Sequence, residues 1–202
     1  MKRNARFGTA AVAICVSAVV ASCGTAGSPV SPSPSSAAAV GLITRLAAID
    51  DAVSQWQSAP DAATARTAAE EARNLVVGPA GPFYGDGDSD GTVVGASAIG
   101  LLPGSAGEPG LATPAAGACV ERDVLGGSWA NPAERWTILE TAIDEWGMLN
   151  NTFPALPSHP QRIVGWATLA LATTDLAVIH EYAGHARLHI DISMQAATAC
   201  AS

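Results

Sequence analysis

The stretch SHPQRIVGWATLALA, residues 158–172, decides the fold. Ser158 and Gln161 open a helix over about 159–172, and residues 163–172 are apolar on nearly every side. A helix without a polar face belongs in the middle of a core rather than on its surface. Thr173 or Thr174 restarts the chain into a last helix over about 174–197. Upstream, Asn131, Pro132 and Glu134 read as cap, first turn and capping box of a helix over 131–149. Its expected buried stripe is Trp136, Leu139, Ile143, Trp146 and Leu149 or Asn150. Asp61 opens a helix over 61–77, lined by Ala65, Ala68, Ala72 and Leu75 and stopped by Gly78 and Pro79. Leu42, Leu46, Ile49, Val53 and Trp56 alternate at spacings of four and three, which makes 37–58 a helix with one apolar face. The expectation is an all-α domain, 37–202, of about five helices around one core.

Residues 78–130 interrupt that pattern. Thirteen of the 20 glycines fall here, with five of the 13 prolines, so the segment reads as a long irregular insert. Such inserts are uncommon in compact domains unless they carry function or something holds them together. Val93, Val94, Ile99, Leu101 and Leu102 offer apolar matter to pack inward.

The N-terminus carries a different signal. Lys2, Arg3 and Arg6 precede the apolar run 7–20, and Val20-Ala21-Ser22-Cys23 follows. This is the layout of a secretory signal, with an apolar run short for a membrane span of roughly 20 residues. The last four residues resemble a lipobox, the processing motif of bacterial lipoproteins. That resemblance implies cleavage after Ser22, a diacylglyceryl group on Cys23, and a domain held at the extracytoplasmic face of the cell membrane. An ordinary secretory signal with a chance cysteine is the alternative. Residues 23–36, small and proline-rich, then read as a tether.

Splitting the chain there also splits its charge. The whole protein is −8, but residues 23–202 hold seven arginines and no lysine against 18 carboxylates, net −11. That excludes nucleic acid as a main partner, since phosphate binding needs a basic face. The lysine-free, alanine-rich composition resembles that of proteins from high-GC bacteria such as actinobacteria. Of four cysteines, Cys15 leaves with the signal and Cys23 takes the lipid, which leaves Cys119 and Cys200 to form a disulfide outside the cytoplasm. The less economical alternative is a Cys119 nucleophile with a histidine base.

Two motifs carry candidate chemistry. In YGDGDSDGT, residues 84–92, Asp86, Asp88, Asp90 and Gly91 match positions 1, 3, 5 and 6 of a calcium loop, and Thr92 can add its carbonyl at position 7. The match then decays, because Val94 and Ser97 stand where further ligands belong. The choice is between a weak calcium site and a solvated acidic turn. On the last helix, His180 and His185 are five apart, so no zincin motif is present. Glu181, His185 and His189 share one side at i, i+4 and i+8, a span of about 12 Å that one ion does not bridge. A neighbouring pair could hold a transition metal with help from Glu140, Asp144 or His159; otherwise these residues, with Arg187 and Asp191, are a partly exposed polar face. Trp129, Trp136 and Trp146 read as core, with an aromatic ligand cleft as the alternative.

Finally, Asn74-Leu75-Val76-Val77-Gly78 followed by Tyr84-Gly85-Asp86 resembles a pattern in extracytoplasmic helical domains of bacteria, over about residues 66–102. The resemblance implies a helical fold and no activity. The sequence therefore points first to a non-catalytic binding domain on a lipid anchor, with an unknown protein or small molecule of the cell envelope as ligand. A metal-dependent enzyme using the last helix is the rival.

Overall fold

The computed structural model describes residues 34–95, 98–113 and 117–202. Cys23, the signal, residues 23–33 of the tether and Ser97 lie outside them.

The domain is all-α. In chain order the helices are α1 (Pro34–Ser58), α2 (Ala62–Val77), α3 (Ala118–Asp123), α4 (Pro132–Asp144), α5 (His159–Leu171) and α6 (Leu176–Cys200), with a 3₁₀ turn at Phe153–Ala155. As its apolar surface demands, α5 is central, packed against α6, α2 and α4. The long helices α1 and α6 run antiparallel. Trp56 at one end donates its indole N–H to the Ile179 carbonyl (3.0 Å), and Arg187 reaches back to Asp50 (2.8 Å) and Ser54 (2.8 Å). The α1 face of Leu42, Leu46, Ile49, Val53 and Trp56 is fully buried, as are Ala65, Ala68 and Ala72 of α2. Small residues there let neighbouring helices close on α2.

Several boundaries differ from the sequence reading. Helix α4 stops at Asp144, not 149, because Gly147 begins a tight turn closed by reciprocal backbone bonds to Asn150. Thr152 and Asn150 then take the Ala142 and Glu145 carbonyls by side-chain bonds (2.6 and 3.0 Å), satisfying the helix end. Leu149, expected in the buried stripe, sits at the tip of that turn and is fully exposed, beside Met148 at 93%. Asn131 makes no cap to the backbone and instead donates to the Glu134 carboxylate (2.9 Å). Asp175, rather than either threonine, caps α6 by accepting from the Ala177 and Val178 N–H groups. Asp61 caps α2 as expected, through Thr64 N–H at 2.8 Å. The short helix α3 lies inside the expected irregular insert.

Most of the insert is tied to the core by named contacts. The N–H groups of Leu101 and Leu102 bond to the Leu75 and Val76 carbonyls, so the insert satisfies the open end of α2. The backbones meet so closely that a Cβ on Gly78 would lie 2.1 Å from the Gly100 nitrogen, and Gly78 also takes a positive φ of 67°. Leu101 and Leu102 are buried, whereas Val93 and Ile99 remain exposed. Trp136 of α4 donates to the Pro103 carbonyl (3.0 Å). Arg135 donates to the Leu125, Gly126 and Ser128 carbonyls and to Gln161, and lies over the Trp129 ring. A Cys119–Cys200 disulfide joins α3 to the end of α6 across 81 residues.

Candidate functional site

The aspartate loop is organised from below by α2. Glu70, Arg73 and Asn74 lie on its buried side, and Glu70 is completely inaccessible to solvent. One Glu70 oxygen accepts the N–H groups of Gly87 and Asp88 (2.5 and 3.2 Å), the other those of Val94 (2.9 Å) and the Asn74 amide (3.4 Å). Asn74 adds bonds to the carbonyls of Gly85 and Val94 and accepts the Gly85 N–H. Arg73 donates to the Gly85 carbonyl, and Arg66 to that of Asp88. Within the loop, Asp86 accepts from Asp90 and Gly91, Asp88 from Asp90 and the Thr67 hydroxyl, and Asp90 from Thr92.

Glu70, Asp86 and Asp88 bring one carboxylate oxygen each within 4.8 Å of one another; Asp90 is not in that group. Sequence reasoning missed Glu70 because it precedes the motif. The signal was present: polar Glu70, Arg73 and Asn74 at i, i+3 and i+4 share one side of α2, opposite its Ala65, Ala68 and Ala72 stripe. A carboxylate facing three backbone N–H groups does for this loop what a bound cation does for carboxylates: it supplies the opposite charge at the point where the strands of the loop converge.

The polar face of α6 divides in two. His189 is 8% exposed, and its Nδ1 lies 3.0 Å from the Nδ1 of His159 at the start of α5. Burial first, then Arg162, His159 and His185, push the His189 pKa down to about 3; burial and then Arg162 lower that of His159. Both rings are neutral at pH 7, so one Nδ1 donates and the other accepts. Among the described residues no third His, Cys, Asp or Glu comes close enough to share an ion with them. Glu140 and Asp144, suggested as helpers, are exposed on α4. His180 bonds to the Ala59 carbonyl (3.1 Å).

Glu181 and His185 belong to a separate feature. With Trp146, Met148, Asn151, Trp166 and Tyr182 they line a cavity of about 280 Å³ between α6, α5 and the 147–150 turn. Trp146 stands at 79° to Trp166 and 88° to Tyr182, with ring centres 5.9 and 5.4 Å apart. His185 stacks on Trp166 at 4.2 Å. The indole nitrogens of Trp146 and Trp166 are both shut off from solvent and have no acceptor. Burial, and then the Glu181 charge, raise the Tyr182 phenol above its ordinary value, so it stays protonated. Trp129 and Trp136, by contrast, are core residues whose indole nitrogens bond to the Leu125 and Pro103 carbonyls. A larger hollow near Gly126 and Pro157 is broad, with the solvated Arg122 at its edge.

Among the described residues no helix is long and apolar enough to cross a membrane. No family model, curated protein or solved structure matches the chain.

Proposed function

We propose that this protein is a lipid-anchored envelope protein whose helical domain binds a small ligand without catalysis. The observation that carries the binding reading is the cavity of about 280 Å³ lined by Trp146, Trp166, Tyr182, Glu181 and His185. Leaving a buried donor unpaired costs about 1–3 kcal/mol. Trp146 and Trp166 each carry that cost in the wall of the cavity, with the indole nitrogen itself closed off from solvent. The anchor rests on Val20-Ala21-Ser22-Cys23, which lies outside the described residues. The chain enters the domain at Pro34, while the cavity lies against the part of α6 that faces the other end of α1. With α1 about 37 Å long, the cavity lies toward the end of the domain away from Pro34.

Trp146→Leu tests the binding reading without a known ligand. A core tryptophan costs about 3–5 kcal/mol when truncated. A wall of a binding site costs far less, so unfolding free energy should change by under about 1 kcal/mol. A loss of 3 kcal/mol or more, on that same scale, makes Trp146 a structural residue and defeats the reading. Mass spectrometry of the membrane-extracted protein tests the anchor: its N-terminus should be Cys23 carrying acyl chains, and an unmodified N-terminus rejects it.

A further inference from the structure

We infer that Cys119, Cys200 and Asp123 form a redox-dependent zinc site, which takes one Zn²⁺ ion once a dithiol reductant opens the disulfide. The ion would keep α3 joined to α6 after the covalent link is lost. This inference stands apart from the ligand cavity. Three observations converge. The first is geometry. Asp123 follows Cys119 by about one helical turn, and its Oδ2 lies 3.7 Å from the Cys119 Sγ. Zinc bonds of about 2.3 Å to sulfur and about 2.0–2.2 Å to oxygen set two ligands of a tetrahedral ion about 3.6 Å apart. Cys119, Cys200 and Asp123 each offer one ligand atom, all within 4.8 Å of one another. For a shared ion the two sulfurs part to about 3.8 Å, by rotation of side chains whose Cα atoms stand 5.6 Å apart. The second is charge. Two thiolates and a carboxylate select zinc over calcium or magnesium, with water as the fourth ligand. Cys200 lies in the last turn of the 25-residue α6, at the negative end of that helix. Arg122 pairs with Asp123 at 2.6 Å, but its side chain is 73% exposed, and so solvated a pair holds weakly against a divalent ion. The third is access. All three residues are partly exposed, so reductant and ion both reach them from solvent.

The chemistry balances. The dithiol supplies two electrons and two protons: the Cys119–Cys200 bond breaks, two thiols form, and the reductant closes into its own disulfide. Zn²⁺ then displaces both thiol protons to solvent and binds the thiolates. In the oxidised protein the sulfurs have no proton to donate, so Asp123 gains no hydrogen bond from them. Only the reduced pair gives that carboxylate a shared task.

The test uses the purified protein, reduced with dithiothreitol and freed of it without air, and Co²⁺ as the spectroscopic probe for zinc. Reduced protein should bind one Co²⁺ per chain, with thiolate-to-cobalt charge-transfer bands and the d–d bands of a tetrahedral ion, and Zn²⁺ should displace it. Oxidised protein and the Cys119→Ser, Cys200→Ser variant should show neither set of bands. Asp123→Ala should weaken cobalt at least about tenfold, since even an outer partner of a metal ligand is worth that much. Zn²⁺ should also restore at least about half of the melting temperature lost on reduction. Reduced protein that binds no more cobalt than the double serine variant overturns the site. Equal affinity in Asp123→Ala overturns it too, because thiols alone then hold the ion. So does cobalt binding that persists undiminished in unfolding urea, where the fold no longer brings the three ligands together, and so does a melting temperature that zinc leaves unmoved.

Discussion

Glu70→Gln isolates the load carried by a single buried carboxylate. The substitution keeps shape and volume and replaces one acceptor oxygen by an NH₂ group. Glu70 accepts four donors, two on each oxygen: Gly87 and Asp88 on one, Val94 and Asn74 on the other. Whichever way the amide turns, it sets its own hydrogens against two donors. Each buried donor left unpaired costs about 1–3 kcal/mol, and the surviving bonds lose their ionic character. Arg73, 7% exposed and drawn electrostatically to Glu70 and Asp88, also loses an opposing charge. The expected destabilisation is about 3–5 kcal/mol, a large fraction of the stability of a domain this size. Urea unfolding of wild type and variant measures it, with Glu71→Gln as control, since that neighbour is partly exposed and should change stability by under about 0.5 kcal/mol. Amide exchange of Gly87 and Val94 should quicken together in the Glu70 variant. A loss below about 1 kcal/mol, on the scale of one ordinary hydrogen bond, would refute the account of how the loop is held.

Two further predictions concern the rest of the fold. His189 and His159 have lowered pKa values, so below about pH 6.5 the unfolded chain takes up protons that the folded one refuses. Stability should therefore fall as pH drops from about 6.5 toward 3, by up to about 1.4 kcal/mol per pH unit for His189. Thermal melts between about pH 7.5 and 5 should show a flatter profile for His189→Gln, and equal slopes would contradict the assignment. Opening the Cys119–Cys200 disulfide frees an 81-residue loop, which the chain-entropy relation values at about 4–5 kcal/mol. Guanidinium unfolding of the Cys119→Ser, Cys200→Ser double variant should show a loss of that order, and a change of about 1 kcal/mol or less would mean that α3 and α6 stay together without it.

What the sequence made legible was whatever has a period or a parity. The a-polar spacing of Leu42 through Trp56, the all-apolar surface of α5 and the even count of two cysteines each had one economical solution, and the fold adopts it. Helix ends were less readable, because they are settled by side chains that arrive from elsewhere: α4 ends where Thr152 and Asn150 fold back onto it. The site was least legible. Glu181 and His189 share a helical side, yet α5 separates them, giving His159 to one and Trp166 to the other. Trp146 reads as a helix-stripe residue until the chain turns at Gly147 and makes it a wall.

The antiparallel pairing of α1 and α6 has a mechanical consequence. A pull applied where the chain enters α1 and resisted at the cavity beside α6 loads opposite ends of that pair. Force then runs lengthwise along the seam, as shear, so Trp56–Ile179, Arg187–Asp50 and the apolar contacts between them share it instead of parting one after another. A load across those two ends therefore meets the whole seam at once.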